Sequence, residues 1–287
     1  MLSIKSFAKS QKLLGLNSLL TPGNQSRLRY RSLRIATLSR SMSSQEAKSR
    51  ENEIVANLNK VSEHIKELAY TCTQEIRLVA VSKTKPNPDL EAAYSWGQRH
   101  FGENYVQELV EKSSKLPVDI NWHFIGSLQS NKCKVLAAIP NLWAVETLSS
   151  IKQADLFQEH RMKLGLSPIN IFIQVNTSRE ENKSGISPKS SELLELSRHI
   201  LEKCPSLILK GLMTIGSISN SIEASESAQN PDFTCLNECR SFLESNISEL
   251  ANLELSMGMS TDYSAAILAG STNVRVGSTI FGSRVYK

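Results

Sequence analysis

Apolar positions along the chain follow two alternating periods. Within residues 46–70, Ile54, Leu58, Val61, Ile65 and Leu68 recur three or four residues apart, the spacing of one face of an amphipathic helix. Beyond them, short β-branched or aromatic runs alternate with stretches of helical spacing. The runs are 78–81, one opening at Phe101, 122–125, 142–145, 169–175, 208–213, 253–257 and 274–276. The helical stretches are 89–96, 105–112, 132–138, 150–163, 189–203, 232–250 and 263–269. Alternation of this kind predicts an all-parallel sheet covered by helices. Eight strands favour closure into a single (β/α)8 barrel, of TIM type, with an extra N-terminal helix; an open α/β sheet is the alternative. Residues 217–231 are polar and Ser-rich and read as a surface loop.

Charge separates the N-terminal segment from the rest. The 287 residues carry 33 Lys and Arg against 28 Asp and Glu, but no acid occurs before residue 45. Lys5, Lys9, Lys12, Arg27, Arg29, Arg31, Arg34 and Arg40 all lie in that stretch. A Ser-, Arg- and Leu-rich segment without acids has the composition of a mitochondrial transit peptide; a disordered basic tail is the plainer reading. Residues 1–44 are therefore expected to be a targeting or disordered segment and residues 45–287 the barrel. Met42 offers an internal start that would give a cytosolic form. The remainder is close to neutral, which argues against a nucleic-acid footprint. No run reaches the ~18 apolar residues of a membrane span. The five cysteines, Cys72, Cys133, Cys204, Cys235 and Cys239, are expected to be reduced thiols, and neither they nor the five histidines show metal-ligand spacing.

Barrel chemistry sits at the C-terminal ends of the strands. After the first strand stands Ser82-Lys83-Thr84-Lys85-Pro86, and counting by two from Val79 and Val81 turns Lys83 inward at the mouth. Lys85 would act as a neighbouring cation that favours the neutral amine of Lys83, provided the strand continues that far. The loops after strands seven and eight frequently bind phosphate. Here they are Ser256-Met257-Gly258-Met259-Ser260 and Gly277-Ser278-Thr279, small and hydroxyl-rich. Thr261-Asp262 then opens a helix whose dipole would favour an anion. Arg275, flanked by Val274 and Val276, needs a partner: a core carboxylate such as Glu103 or Glu146, or a ligand. Asn104 and His123 lie near strand ends and are candidate pocket residues, although a satisfied core histidine is as good a reading of His123. Met213 and Met257 are expected to pack the pocket wall.

Five segments carry a family resemblance: 79–86 (VAVSKTKP), 101–108 (FGENYVQE), 122–132 (WHFIGSLQSNK), 211–216 (GLMTIG) and 255–262 (LSMGMSTD). In this order they resemble the pyridoxal phosphate homeostasis protein family, which is related to the barrel domain of alanine racemase. The likeness runs from about Glu46 to the C-terminus. It implies that Lys83 carries pyridoxal 5'-phosphate (PLP) as an internal aldimine. It also implies that Ser260, Gly277 and Ser278 hold the phosphate, with Arg275 at the ring nitrogen. The family usually has Thr where this chain has Ser278, and the hydroxyl is kept. Cofactor contacts are thus expected from Lys83, Asn104, Met213, Ser256, Ser260, Arg275, Gly277 and Ser278.

Three functions are compatible with these residues. The first is a PLP-binding homeostasis protein, a monomer that stores, buffers or delivers the cofactor to PLP-dependent apo-enzymes without efficient catalysis of its own. The second is an amino-acid racemase of low activity, which needs a second acid–base group; the extra domain that supplies it in alanine racemase has no counterpart here, and Tyr286 is an unsupported substitute. The third is a barrel for another phosphorylated metabolite, with Lys83 a simple charge.

Overall fold

The computed structural model describes residues 22–72, 75–227 and 230–283. The chain divides into two units, Met1–Arg50 and Glu51–Lys287. The first described element is α1 (Pro22–Cys72). It starts well before the residue 46 expected from apolar spacing. Pro22 suits a first helical turn, and no Gly or Pro follows between Asn24 and Cys72. Of the segment read as targeting, residues 1–21 lie outside the described residues. From Glu51 onward α1 belongs to the second unit, where Ile54, Leu58, Val61 and Ile65 are buried.

The eight strands are β1 (Arg77–Val81), β2 (His100–Glu103), β3 (Asn121–Phe124), β4 (Leu142–Leu148), β5 (Ile169–Gln174), β6 (Leu207–Met213), β7 (Glu254–Met259) and β8 (Asn273–Val276). They pair in chain order, all parallel, and β8 closes on β1. The helices outside them are α2 (Asn87–Trp96), α3 (Val106–Lys115), α4 (Cys133–Ala137), α5 (Ile151–Leu164), α6 (Ser191–Lys203), α7 (Ile218–Ser227), α8 (Pro231–Asn246), α9 (Tyr263–Leu268) and α10 (Ser278–Phe281). Element α7 replaces the expected Ser-rich loop. Ser217 Oγ accepts the Asn220 N–H, and buried Asp232 accepts the Ser217 N–H, so the polar stretch carries its own helix start. Among the described residues no helix is long and apolar enough to cross a membrane.

The two faces of the sheet are unlike. Ala80, Phe101, Phe124, Val274 and Val276 point outward into the large apolar layer shared with the helices. A Cβ built on Gly102 would meet Val79, Val81 and Ile125, so those side chains point into the barrel. Arg275 lies opposite Val79 in the β1–β8 register and shares that interior. The inner face is thus polar at one side and apolar at the other, where Ala144, Phe172 and Met213 pack with Trp143.

Candidate functional site

A cavity of about 280 Å³ opens at the C-terminal ends of β1, β7 and β8. Lys83, Lys85, Ser260, Arg275, Gly277 and Ser278 line it. Lys83 reaches the cavity from a tight turn. Strand β1 stops at Val81, Thr84 has φ +64°, and the Lys85 N–H donates to the Ser82 carbonyl. The strand therefore does not continue to Lys85 as the sequence reading required. Lys85 Nζ instead donates to the carbonyls of Phe281, Gly282 and Ser283, tying this turn to the end of α10.

The backbone on both sides of Lys83 is held from behind. Buried Lys112 Nζ donates to the Ser82 carbonyl, to Glu103 Oε1 and to Glu108 Oε1, and Ser82 Oγ donates to Glu103 Oε1 at 2.6 Å. The Thr84 N–H donates to Glu108 Oε1. Lys112 thus anchors the turn through an ion-pair cluster between β2 and α3. Burial pushes the Glu103 carboxyl up to about 7, against the pull of Lys112. Between about 4.5 and about 7 the folded chain keeps a proton that the unfolded chain has released, so raising the pH through that window removes stability. Glu103→Gln should flatten this slope, which is on the order of 2–3 kcal/mol in wild type. Chemical denaturation at about pH 5 and about pH 8 reads it, and equal slopes in the two proteins would contradict it.

The loops after β7 and β8 are joined directly, because the Gly277 N–H donates to Ser260 Oγ at 3.1 Å. Each loop leads into a short helix, α9 or α10. A Cβ on Gly277 would lie 3.2 Å from the Val81 carbonyl, and Gly258 has φ +94° with Ala266 directly behind it. Both glycines let backbone approach backbone at the rim. Loops after strands seven and eight, with the N-terminus of a short extra helix, form the frequent phosphate site of such barrels.

Arg275 is 4% exposed and forms the cavity floor. Its Nη1 donates to Ser256 Oγ at 2.5 Å and its Nη2 to the Thr214 carbonyl at 2.7 Å. Ser256 Oγ in turn contacts Glu146 Oε2, which lies 4.0 Å from the guanidinium. Of the two carboxylates the sequence offered as partners, Glu146 is the counter-charge and Glu103 faces the other way. On its far side Glu146 meets His123 Nδ1, and His123 Nε2 meets His100 Nδ1 at 2.8 Å. Burial lowers the pKa of both imidazoles, that of His100 to about 3, so both are neutral near pH 7. Burial pushes Glu146 up, but His123, Arg275 and Ser256 outweigh it and hold the carboxyl below its usual range. One donor direction satisfies the whole chain: His100 to His123 to Glu146 from one end, Arg275 to Ser256 to Glu146 from the other. Asn273 Nδ2 adds a donor to the same carboxylate. His123 is a satisfied core histidine.

The remaining expected residues fall elsewhere. Ser256 and Met213 have no exposed surface and line neither this cavity nor its neighbour. Ser256 acts on the cavity through Arg275, because strand parity places it one layer below the rim. Met213 packs in the barrel interior. Asn104 lines an adjoining cavity of about 240 Å³ with Gln174, Asn176, Lys183 and Thr214, and Ile125 is common to both. Asn104 Oδ1 is buried without a hydrogen-bond partner there. Among the described residues lining the Lys83 cavity there is no His, Tyr, Cys, Asp or Glu.

The arrangement fits PLP: an amine for its aldehyde, two linked loops and a helix start for its phosphate, and a buried cation for its ring edge. Comparison with known proteins agrees. Residues 56–285 match the family described as alanine racemase, N-terminal domain. A pyridoxal phosphate homeostasis protein of Schizosaccharomyces pombe is 52% identical over 211 residues, 74% of this chain and 85% of that one. The protein of that name in Homo sapiens is 48% identical over 218 residues, covering 73% and 77%. The solved structure of PipY of Synechococcus elongatus with PLP bound superposes with a TM-score of 0.61 at 30% identity, covering 76% of this chain and 100% of that one. Alanine racemase of Corynebacterium glutamicum, at 15% identity and a TM-score of 0.59, shares the fold. With these relatives on one side and the Lys83 cavity on the other, the chain belongs to the pyridoxal phosphate homeostasis protein family, built on the barrel of the alanine racemase N-terminal domain.

Proposed function

We propose that this protein binds PLP covalently at Lys83 and serves its intracellular homeostasis, storing, buffering or handing on the cofactor. The observation that carries the reading is the meeting of Lys83, Arg275 and the linked β7 and β8 loops in one cavity. PLP supplies an aldehyde that condenses with amines and a ring that withdraws electrons. The chain's own residues do the rest. Ser260, Gly277 and Ser278 orient the phosphate. Lys83 Nζ presents the amine from a turn fixed by Lys112, Glu103 and Glu108. Arg275 is assigned to the ring nitrogen, where a guanidinium held by Glu146 would disfavour protonation of that nitrogen through like-charge repulsion and so would damp carbanion chemistry.

The racemase alternative needs proton-moving groups on both faces of the substrate. The described lining of the cavity supplies Lys83 and Lys85 for that purpose, and Lys85 is engaged by three carbonyls. The homeostasis reading is therefore preferred, with a monomer handing PLP to apo-enzymes. The test mixes PLP-loaded protein with a PLP-requiring apo-enzyme and, separately, with amino acids in deuterated water. Activation of the apo-enzyme without α-proton exchange is expected. Rapid α-proton exchange would favour the racemase. The basic segment 1–44 is assigned to mitochondrial import, with Met42 as the start of a cytosolic form; a reporter carrying residues 1–44 that stays in the cytosol would refute the import role.

A further inference from the structure

Three side chains of different chemistry meet on the outer helical layer, away from the Lys83 cavity. Asp155 comes from α5, His199 from α6, and Cys204 caps the end of α6. Their carboxylate oxygen, ring nitrogen and sulfur all lie within 4.8 Å of one another. From this convergence we propose a binding site for one divalent transition-metal ion of the zinc class, held by Asp155, His199 and Cys204 with water in the fourth position.

The sequence spacing did not reveal the group, and helix geometry explains why. Residues 199 and 204 on a continuing helix would point about 140° apart. The helix stops at Cys204, which has φ −121° and ψ 66°, and this turn brings the thiol round toward His199. Asp155 arrives from the neighbouring helix, 44 residues away in sequence, with its Oδ1 2.6 Å from His199 Nε2.

The donor set suits the ion. Imidazole, thiolate and carboxylate are the three ligand types of zinc sites, and three protein ligands plus water complete a tetrahedron. Zinc bonds of about 2.0–2.3 Å place tetrahedral donors about 3.3–3.7 Å apart. The present spread of up to 4.8 Å therefore closes by at most about 1.5 Å, while the Asp155–His199 pair opens by less. Burial is graded in the right sense: Cys204 is 1% exposed, the His199 side chain 23% and the Asp155 side chain 56%. The ion can enter from the carboxylate side and keep its water there. Binding balances simply. The Cys204 thiol releases its proton to solvent; the His199 imidazole, whose Nε2–H donates to Asp155 Oδ1 in the metal-free chain, gives up that proton and takes one from solvent on Nδ1, so that Nε2 coordinates; and two anionic ligands offset the two positive charges. Cys204 lies three residues before β6, toward the face opposite the Lys83 cavity. An ion there would clamp α5 to the α6–β6 connection and raise stability.

The test uses the full chain, freed of metal by chelation and titrated with cobalt(II) chloride. Difference spectra are taken against cobalt-free protein of equal PLP content. One cobalt per chain is expected, with a near-ultraviolet thiolate-to-cobalt charge-transfer band and the visible bands of a four-coordinate ion, both removed by added zinc. Cys204→Ser should abolish the charge-transfer band. Asp155→Asn and His199→Gln should each weaken binding by at least about 100-fold, beyond the roughly 10–100-fold cost of losing an outer-shell partner. The proposal is overturned if wild type shows no thiolate band, or if the band survives Cys204→Ser. Should Cys204→Ser fail to fold, unchanged cobalt affinity in both of the more exposed variants overturns it equally.

Discussion

Lys83→Ala is expected to lose the visible absorption band of the PLP-loaded protein completely while keeping the circular dichroism and melting temperature of the PLP-free barrel. The side chain emerges from a turn at the cavity rim and not from the packed layer, so its removal leaves the Lys112–Glu103–Glu108 cluster behind the turn in place. The phosphate loops are also unchanged, because the Gly277 to Ser260 contact does not involve Lys83. Residual, non-covalent binding should therefore persist, weakened by at least about 100-fold, or on the order of 3 kcal/mol. Borohydride reduction followed by peptide mapping should place a pyridoxyl mass on Lys83 in wild type and on no peptide in the variant. A label that moves to Lys85 while the band is retained would assign the anchor to the second lysine of the turn. A wild type that stays colourless with added PLP would sink the whole cofactor reading and leave a barrel for another phosphorylated metabolite.

Glu146→Ala should be the most destabilising of the single substitutions near the site, at about 3–5 kcal/mol. The reason is what it leaves behind. Arg275 is 4% exposed, and Glu146 is its counter-charge, reached through Ser256. Removing the carboxylate strands a desolvated guanidinium and also takes the acceptor from His123 and Asn273. Glu146→Gln should cost less, since an amide oxygen still accepts from one end of the chain. Ser256→Ala should cost about 1–3 kcal/mol, the usual penalty for leaving buried polar groups unsatisfied. A double cycle with Arg275→Leu separates the pair from the network: the Glu146→Ala cost should fall sharply once the cation is gone. Urea denaturation gives each value, and a Glu146→Ala cost below about 1 kcal/mol would refute the assignment of Glu146 as counter-charge.

Two features of the site connect these predictions. The groups behind the cavity are over-determined: Lys112 makes three contacts around the Lys83 turn, and Glu146 receives donors from both ends of one chain. The groups facing the cavity are few and chemically simple, with an amine, a guanidinium, small hydroxyls and glycine.

Alternation of short β-branched runs with helical spacing is local, so eight strands, their order and their inward parity were legible, down to Lys83 at the mouth and Arg275 inside β8. The small hydroxyl-rich loops after β7 and β8 were legible for the same reason, since backbone approach requires glycine at specific positions. What period and composition cannot express is which groups, distant in sequence, come to face one another when the sheet closes. Only closure chose Glu146 over Glu103 for Arg275, sent Glu103 outward to Lys112, and lowered Ser256 beneath the cavity floor. Only the helix end at Cys204 and the packing of α5 on α6 brought Asp155, His199 and Cys204 together. The start of α1 at Pro22 and the helix α7 in a Ser-rich stretch escaped the pattern because neither rests on apolar periodicity; a long run free of Gly and Pro and a serine cap decide them. Strand and helix are written in nearest neighbours, whereas the partner of a buried charge is set by three-dimensional closure and by the cost of leaving that charge alone.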